Sequence, residues 1–559
     1  MIGAGNLSEL PTSARAPRAT IWARVNRRSF LRSLAVGTAA IGLDPVSRPP
    51  WDWRAEATEL AGRNDRLRAQ RAYKIRTDAA RLARDRPPVS HPDNGEEDLY
   101  PNRIASYSKG LPHSSLGEVD LAAYDALLRA LRTGEKAAFE AIPLGLGRKL
   151  TNPQAGLAFD LEGPDSHHLS MRPPPAIAGA EAASELAELY WMALARDVHF
   201  LDYGSDPIVV AAADDLSAFT DFRGPRTGGR VGPDTIFRGF TAGDVVGPYL
   251  SQFLWLDIPM GAVLVPQRMR TALPGVDYMT EYSDWLDVQN GAEPAPAGLD
   301  PIPRYIRNLR DLAEWVHVDA LYQAYHQACL ILLGMGAPFD AGNPYSTSLK
   351  QIGFGTFGGP HILSLMTEVA TRALKAVWYQ KWFVHRRLRP EALAGLVHHT
   401  LTGQAAYPIH PEILNSAAAA AVFSRHGTYL LPVAIPEGSP THPSYGSGHA
   451  TVAGACVTIL KAWFDGSWQL PRTVVPDASG TALLAYAGPA LTVENELDKL
   501  AANVAIGRNA AGIHYRSDYW ESVKLGEKIA VGILEEQRET YREICSFSFR
   551  GFEGQTITI

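Results

Sequence analysis

The segment "EAASELAELYWMALARDVHF", residues 181–200, carries the pattern that decides the fold. Its apolar side chains fall at the i, i+3, i+4, i+7 and i+8 spacing of one helix face: Leu186, Leu189, Tyr190, Ala193 and Leu194. Comparable patterns recur along the chain, near residues 120–141, 305–333, 363–387, 411–424, 449–464, 492–506 and 518–538. Alternating strand patterns are scarce. The sequence therefore predicts an all-α protein, mainly helical and built of helix bundles.

The length of the chain sets its domain organisation. With 559 residues it exceeds a single ordinary core. A connection rich in proline and glycine, "GAEPAPAGLDPIP" at 291–303, separates helical segments on its two sides. We expect an N-terminal helical half with long loops at 49–300 and a C-terminal helical half at 301–559.

Charge and cysteine usage exclude several classes of protein. Lys plus Arg number 53 against 59 for Asp plus Glu, a net charge of −6, and no basic stripe lies beyond the N-terminus. Nucleic acid is therefore not an expected partner. The three cysteines are far apart and lack C-x-x-C spacing, which excludes a disulfide framework, a zinc ribbon and an iron–sulfur site. Any metal must be held by other ligands.

The N-terminus has the features of an export signal. In "RVNRRSFLRSLAVGTAAIGLDPVSRPP", residues 24–50, the pair Arg27-Arg28 precedes a mild apolar run. This resembles a twin-arginine signal, so we assign 1–48 to an export segment and expect a periplasmic or extracellular protein. The alternative is a disordered basic tail. The run is too short to span a bilayer and no other long apolar run occurs, so no membrane span is expected.

An acidic segment, "RPPVSHPDNGEEDLYPN" at 86–102, raises the question of a calcium site. Its prolines and Gly95 interrupt any helix. The spacing of acidic ligands around the glycine of an EF-hand is missing. We therefore expect a solvated loop.

Three motifs carry chemistry, and the first is "IGRNAAGIHYRSD" at 506–518. Arg508 has a guanidinium that binds tetrahedral oxyanions bidentately, and His514 has an imidazole that in its neutral form can bind a metal. Alone, this arrangement is more typical of a surface or structural pair.

The second motif is "KWFVHRRLRPEA" at 381–392. Pro390 disfavours helical geometry at Arg389, so the preceding helix should end there, with Lys381 in its last turns. The two cations could then reach one anion. The alternative is an exposed basic helix end that complements the macrodipole, formed by His385, Arg386, Arg387 and Arg389.

The third motif is "THPSYGSGHATVAGACVTILKAWF" at 441–464, where a Ser-Gly-His sequence runs into a helical pattern. The free N–H groups of a helix N-terminus bind anions. Gly448 allows close approach of the backbone, Ser447 adds a hydroxyl donor, and His449 could transfer a proton. The alternative is an ordinary helix cap.

Together the motifs form an oxyanion cradle with one spare ligand. The pattern Lys-x7-Arg-Pro, Pro-Ser-x2-Ser-Gly-His and Gly-Arg-x5-His-x3-Asp resembles the vanadium-dependent haloperoxidases, whose site overlaps that of an acid phosphatase superfamily. The likeness extends through "HPDNGEEDLYPN", "YSKGLPHSSLGEVD", "ELYWMALARDV" and "RNLRDLAEWVHVDALYQAY", and covers most of residues 70–545. Two positions depart from the family pattern: Gly446 replaces a proline and Gly507 replaces a serine. Neither change removes a ligand.

The resemblance implies a fold and a role for each position. The fold would consist of two four-helix bundles. His514 would be the axial ligand of vanadium(V) in vanadate, and His449 would be the acid–base group facing the apical oxygen. The equatorial oxygens would be bound by Lys381, Arg389, Ser447, the Gly448 amide and Arg508, with Lys381 also polarising the bound oxidant. Asp518 would either orient a neighbouring group or act as an N-cap.

The activity that the resemblance implies is oxidation of halide by hydrogen peroxide to a hypohalous acid equivalent, which halogenates a small organic acceptor. His442 matches algal bromoperoxidases, whereas Trp378 matches fungal and some brown-algal enzymes, so we expect bromide to be preferred. His442 could instead simply satisfy a loop backbone group. Relatives suggest a homo-oligomer, dimeric or larger. Two alternatives remain, an acid phosphatase using the same oxyanion site and a non-enzymatic oxyanion-binding protein.

Overall fold

Helices dominate the computed structural model, which describes residues 65–559. In that range there are sixteen α-helices. The first eight are α1 (Asp65–Asp85), α2 (Glu96–Leu99), α3 (Leu121–Thr133), α4 (Lys136–Glu140), α5 (Ala180–Leu194), α6 (Pro207–Ala218), α7 (Tyr282–Gln289) and α8 (Leu309–Val318). The others are α9 (Gln323–Met335), α10 (Gly359–Tyr379), α11 (Pro390–Thr402), α12 (Pro411–Leu414), α13 (Ala417–His426), α14 (Gly448–Trp463), α15 (Val493–Ala510) and α16 (Arg516–Arg538). The prediction of a mainly helical protein is confirmed.

Strands are few and short. Three antiparallel two-stranded hairpins pair β1 (Ile258–Met260) with β2 (Val263–Val265), β3 (Val474–Pro476) with β4 (Leu483–Ala485), and β5 (Ser548–Arg550) with β6 (Thr556–Thr558). Single 3-10 turns lie at Ala155–Leu157, Ser166–His168, Phe200–Asp202, Ala242–Val245 and Gln252–Leu254. Residues Lys74–Ile559 form one compact unit, which contains every element named here after α1.

Local sequence explains where the helices begin and end. Asn308 caps α8 by accepting a hydrogen bond from the backbone N of Asp311, and Gly336 ends α9 in a left-handed conformation. The single helical pattern predicted near 305–333 is therefore two helices. The sequence predicted only that a helix ends before Pro390. Pro390 also begins α11, because proline at the first helical position loses no hydrogen bond.

The core around the site is built on α14, which packs against α10, α15 and α16. Within α14 every residue is buried except His449. Helices α14 and α16 cross closely because glycines lie at the contact: a Cβ on Gly526 would lie 2.1 Å from the carbonyl oxygen of Thr451. This crossing holds the start of α14 beside the start of α16.

A second group of helices forms around α5. It packs against α6, α12 and α13, which come from both sides of residue 300. All of α5 after its first residue is buried, including Glu185 and Glu188. These carboxylates are tolerated in the interior because each pairs with a buried arginine, Arg387 and Arg516 respectively.

The acidic segment differs from the expected solvated loop. Part of it forms α2, and Glu96 is 4% exposed, accepting a hydrogen bond from the backbone N of Ile177 at 2.8 Å. Glu97 forms an ion pair with Arg386. These carboxylates attach the segment to the body of the protein instead of collecting around a cation.

None of the helices within residues 65–559 combines the length and the apolar character needed to cross a bilayer. The expected export segment, 1–48, lies outside the described residues.

Candidate active site

Lys381 lies on a π-helix. Helix α10 runs directly into a six-residue π segment, Gln380–His385, which ends at Arg386 in a left-handed conformation. Such π segments are frequent at functional sites because they redirect side chains. The Lys381 Nζ donates to the carbonyl oxygens of Pro443 at 2.7 Å and Ser444 at 3.0 Å. In the described chain its third N–H has no protein partner.

The exposed basic helix end, considered as an alternative for this motif, is wrong. Relative exposure is 0% for Lys381, 8% for His385, 4% for Arg387 and 1% for Arg389. Burial and the charge of Arg389 hold the pKa of Lys381 well below its usual range. Burial disfavours the charged form of Lys381, and the neighbouring Arg389 adds a second positive charge in the same pocket.

Arg389 lies at the start of α11 and is held on every side. Its Nε donates to the carbonyl oxygen of His442 at 3.0 Å, and its Nη1 donates to that of Ile513 at 3.0 Å. Its Nη1 also lies 3.1 Å from His514 Nε2, and its Nη2 lies 2.9 Å from His442 Nδ1. Burial lowers the pKa of Arg389 to about 10.

Arg508 approaches from the last turn of α15. Its Nη1 donates to the carbonyl oxygen of Val316 at 2.9 Å. Its Nε is buried with no hydrogen-bond partner in the described part of the chain. A buried unsatisfied guanidinium N–H is costly, so this donor is suited to an acceptor supplied by a ligand.

The tautomer of His514 follows from its neighbours. Guanidinium groups only donate, so the contact with Arg389 makes Nε2 the acceptor and leaves the proton on Nδ1. Nδ1 lies 2.8 Å from Asp518 Oδ2 and donates to it. Burial and the charges of Arg389, Lys381 and Arg508 hold the pKa of His514 well below its usual range. The imidazole is therefore neutral, and the lone pair of Nε2 points toward the cations, where it accepts from Arg389.

Asp518 orients a neighbouring group, as its position suggested, because its Oδ2 accepts from His514. It is not an N-cap: Tyr515 is the N-cap of α16, and Asp518, the third residue of that helix, accepts from the backbone N of Tyr515. The same oxygen accepts from the Ser444 hydroxyl. Its Oδ1 accepts from Arg387 Nη1 at 2.8 Å. Sequence reasoning assigned no role at this site to Ser444, and it named Arg387 only in the alternative of an exposed basic helix end.

Ser447 and Gly448 present donors at the start of α14. The Ser447 Oγ accepts from the backbone N of Ala450 at 3.3 Å as the N-cap, which leaves its hydroxyl proton free to donate. The Gly448 amide is at the first helical position, where no intrahelical acceptor exists. A Cβ on Gly448 would lie 3.1 Å from Cζ3 of Trp378, so a larger residue would press on that ring.

His449 is the part of α14 that reaches solvent. Its side chain is 19% exposed, and its Nε2 lies 3.0 Å from Asp319 Oδ1. Sequence reasoning missed Asp319, which follows α8 without any motif. Only the packing of α8 against α15 brings this carboxylate to the histidine.

His442 and Trp378 lie together beside the cradle. Their ring centroids are 4.7 Å apart, and the Lys381 Nζ lies 5.6 Å from the Trp378 centroid. Trp378 Nε1 donates to the carbonyl oxygen of Thr151 at 3.2 Å. Because Arg389 donates to His442 Nδ1, the proton of that imidazole is on Nε2. Burial and the charges of Lys381 and Arg389 hold the pKa of His442 well below its usual range.

The electrostatics of the pocket select an anion. Across residues 65–559, Lys381, Arg389 and Arg508 form no ion pair with a carboxylate within 4.0 Å, although each is buried. Buried unpaired cations are costly. The described residues also contain no group of three or more His, Cys, Asp or Glu side chains able to hold a metal cation. An oxyanion would neutralise the three cations and satisfy the free donors.

Fold and site together define a helical-bundle protein with a cationic pocket, suited to an oxyanion, beside the Nε2 of a neutral imidazole. A family model described as the VCPO second helical-bundle domain matches residues 361–543. Vanadium-dependent bromoperoxidases of Corallina pilulifera and Corallina officinalis are each 40% identical over 593 residues, covering 89% of this chain and 99% of theirs. The chain belongs to the vanadium-dependent bromoperoxidase family, which confirms the resemblance seen in the motifs.

Two proteins from Ascophyllum nodosum extend this likeness. A vanadium-dependent bromoperoxidase is 40% identical over 494 residues, covering 84% of this chain and 88% of its own. A solved structure, described as a homohexameric second vanadate-dependent bromoperoxidase, superposes with a TM-score of 0.86 at 30% identity and covers 95% of each chain. The helical architecture is therefore shared over nearly the whole length.

Proposed function

We propose that this protein is a vanadate-dependent haloperoxidase that uses hydrogen peroxide to oxidise halide, with bromide preferred. The observation that carries the proposal is the convergence of three buried cations without carboxylate partners on the neutral His514. Vanadate fits this cradle because it is an oxyanion whose metal can also accept a bond from a neutral imidazole. The family membership supports the same conclusion.

Each side chain has a defined part in holding the cofactor. His514 would supply the metal ligand through Nε2, since its Nδ1 proton is committed to Asp518. The donors for the vanadate oxygens would be Lys381, Arg389, Ser447, the Gly448 amide and Arg508. The free Lys381 N–H and the orphaned Arg508 Nε fit this assignment, because both are buried donors that need an acceptor.

When bound, vanadate(V) would supply a Lewis acid that activates hydrogen peroxide toward halide without a change in its own oxidation state. His449 takes the peroxide proton at a ring nitrogen, and Asp319 holds its Nε2 at 3.0 Å. Lys381 would polarise an oxygen of the bound peroxide through its free N–H. The product is a hypohalous acid equivalent that halogenates a small organic acceptor.

Bromide preference rests on His442. Its Nδ1 accepts from Arg389, so it limits how strongly that guanidinium can polarise a bound oxygen. Chloride is harder to oxidise than bromide and needs a more electrophilic oxygen. We therefore expect weak chloride turnover, confined to acidic pH.

A direct comparison of two reactions tests the function. Purified protein, loaded with vanadate, is assayed for peroxide-dependent bromination of a diketone dye and, in parallel, for hydrolysis of an aryl phosphate. We expect bromination that requires vanadate and little phosphate hydrolysis. Phosphatase activity without bromination would assign the cradle to phosphate ester hydrolysis, and absence of both would leave oxyanion binding alone.

Two properties of the whole protein belong to the same proposal. The twin-arginine pattern at Arg27-Arg28 supports export to the periplasm or beyond. The homohexameric relative supports a homo-oligomer. Cell fractionation with a variant in which both arginines are lysine tests export, and light scattering after gel filtration tests assembly.

A further inference from the structure

A line of buried polar groups runs from the site into the α5 group of helices. It begins at His514, whose Nδ1 lies 2.8 Å from Asp518 Oδ2, and continues from Asp518 Oδ1 to Arg387 Nη1 at 2.8 Å. Arg387 Nη2 then donates to Glu185 Oε2 at 3.0 Å. Side-chain exposure along this line is 2% for His514, 0% for Asp518, 4% for Arg387 and 5% for Glu185.

Glu185 is fixed at both of its oxygens. Its Oε1 accepts from the backbone N of Ser517 in the first turn of α16. Arg387 is fixed as well, because Nη1 also donates to the Ser517 hydroxyl at 2.9 Å and its guanidinium lies 3.7 Å from the Tyr515 ring centroid. The guanidinium is therefore held in one orientation, with Nη1 toward Asp518 and Nη2 toward Glu185.

This geometry matters because the strength of His514 as a ligand depends on Asp518. A carboxylate that accepts the Nδ1 proton raises the electron density on Nε2. An arginine with no other partner would draw charge from Asp518 and weaken that effect. Glu185 shares the guanidinium, balances its charge and prevents it from turning.

We propose that Glu185, a residue of α5 far from the motifs in sequence, is a positioning residue for the vanadate site. Acting through Arg387, it keeps Asp518 oriented toward His514 and so strengthens the bond between His514 Nε2 and vanadium. This inference rests on the proposed function.

The chain offers a matched control in Glu188. It lies one turn further along α5, is fully buried, and pairs with Arg516 at the start of α16, with Arg516 Nε 2.8 Å from Glu188 Oε2. No hydrogen bond or ion pair in the described chain connects this pair to Asp518. Glu188→Gln therefore breaks a similar buried pair between a carboxylate of α5 and an arginine, without touching the line to His514.

The experiment titrates the vanadium-free full-length protein with vanadate and, separately, with phosphate by calorimetry. Phosphate measures the charge of the cradle, because it forms no coordination bond with His514. Glu185→Gln should raise the Kd for vanadate about tenfold relative to Glu188→Gln, while the Kd for phosphate stays the same in both variants. Melting temperatures should fall by similar amounts in the two variants.

Arg387→Lys gives a second measurement, and it replaces the first if Glu185→Gln does not fold. Lysine keeps the positive charge but lacks the two guanidinium nitrogens that bind Asp518 and Glu185 at the same time. The same selective loss of vanadate affinity is therefore expected. Equal vanadate affinities in the Glu185 and Glu188 variants, or parallel weakening of phosphate binding, would overturn the inference. Wild-type protein that fails to bind vanadate would overturn the proposed function instead.

Discussion

At the scale of single residues, His514 is the group on which the site depends. Its Nε2 faces the buried cations, and its other nitrogen is held by Asp518. The remaining contacts to an oxyanion would be hydrogen bonds from cations, a hydroxyl and an amide. These donors bind phosphate as well as vanadate. Of the groups in the cradle, only His514 can therefore distinguish vanadate from phosphate, by binding its metal.

We predict that His514→Ala abolishes vanadium retention and bromination while the protein stays folded. The proposed bond between protein and metal is lost, but the helices around it keep their packing. Metal content after gel filtration and circular dichroism check this. His398→Ala is the control, because His398 is also buried and its ring, within the described residues, accepts a hydrogen bond only from the backbone N of Tyr429. Near-normal vanadium in the His514 variant would contradict the assignment.

His442→Phe should change halide use. Without the acceptor at Nδ1, the Arg389 Nη2 becomes free to bind the oxyanion, which makes a bound oxygen more electrophilic. We expect the ratio of chloride to bromide turnover to rise by about tenfold and the bromide pH profile to shift. Steady-state rates for both halides across pH check this. An unchanged profile would mean that His442 only fills its place in the loop.

At the scale of elements, the end of α8 is held to the site by a histidine. His317 lies between Glu314 at 3.6 Å and Glu437 at 2.8 Å, and these two carboxylates raise its pKa to about 9. Burial acts against ionisation of Glu437, but the hydrogen bond from His317 holds the pKa of that carboxyl at about 2. The same helix end supplies the carbonyl oxygen of Val316 to Arg508.

The sign of the pH dependence follows from these shifts. The raised pKa of His317 adds stability that is complete below its unfolded value, about 6.5, and is lost as pH rises through about 9. The lowered pKa of Glu437 adds stability above its unfolded value, which is lost as pH falls through about 2. We predict that His317→Gln lowers the Tm most near pH 5–6 and little above pH 10. A pH-independent difference in Tm would contradict the stabilising contacts of His317 with Glu314 and Glu437.

The crossing of α14 and α16 is the second element on which the site depends. Gly526→Ala would place a Cβ 2.1 Å from the Thr451 carbonyl oxygen and 2.5 Å from the Ala455 backbone N, and neither backbone atom can move aside cheaply. We expect a loss of about 3 kcal/mol in unfolding free energy. Gly232→Ala, whose Cβ would meet nothing within 4 Å, is the control. Urea denaturation of both variants measures the difference in stability, and equal urea midpoints for the two would contradict the close crossing.

At the scale of the whole molecule, the cradle joins segments that are far apart in sequence. Its donors come from the π segment after α10, the starts of α11 and α14, and the end of α15. An oxyanion bound among them would link these elements in the native state and not in the unfolded chain. Ligand binding should therefore stabilise the entire helical body.

We predict that vanadate raises the Tm of the metal-free protein and that phosphate raises it less, since phosphate lacks the bond to His514. A ligand at about one hundred times its Kd adds about 2.7 kcal/mol. Phosphate should also compete with vanadate during reconstitution. Differential scanning calorimetry with sodium chloride at matched ionic strength as control measures the effect. A Tm indifferent to both oxyanions would contradict the cradle.

The sequence by itself determined the class of fold and the groups that face the anion. Helical periodicity, as in the Leu186 to Leu194 stripe, is a local property, and so are the cap at Ser447 and the helix end before Pro390. The motif spacing also identified Lys381, Arg389, Arg508 and His514 as one set. Such features are readable because they depend on residues within a few turns of one another.

The tertiary structure decided what surrounds that set. It turned a predicted helix end into a π segment, buried the arginines that could have been a surface patch, and brought Asp319 to His449 and Glu185 to Arg387. Sequence spacing carries no signal for these pairs, because partners separated by over a hundred residues meet only when helices pack. The buried charges of Glu185 and Arg387 are tolerated because packing supplies the counter-charge, and that condition is met by the whole fold and not by any segment of it.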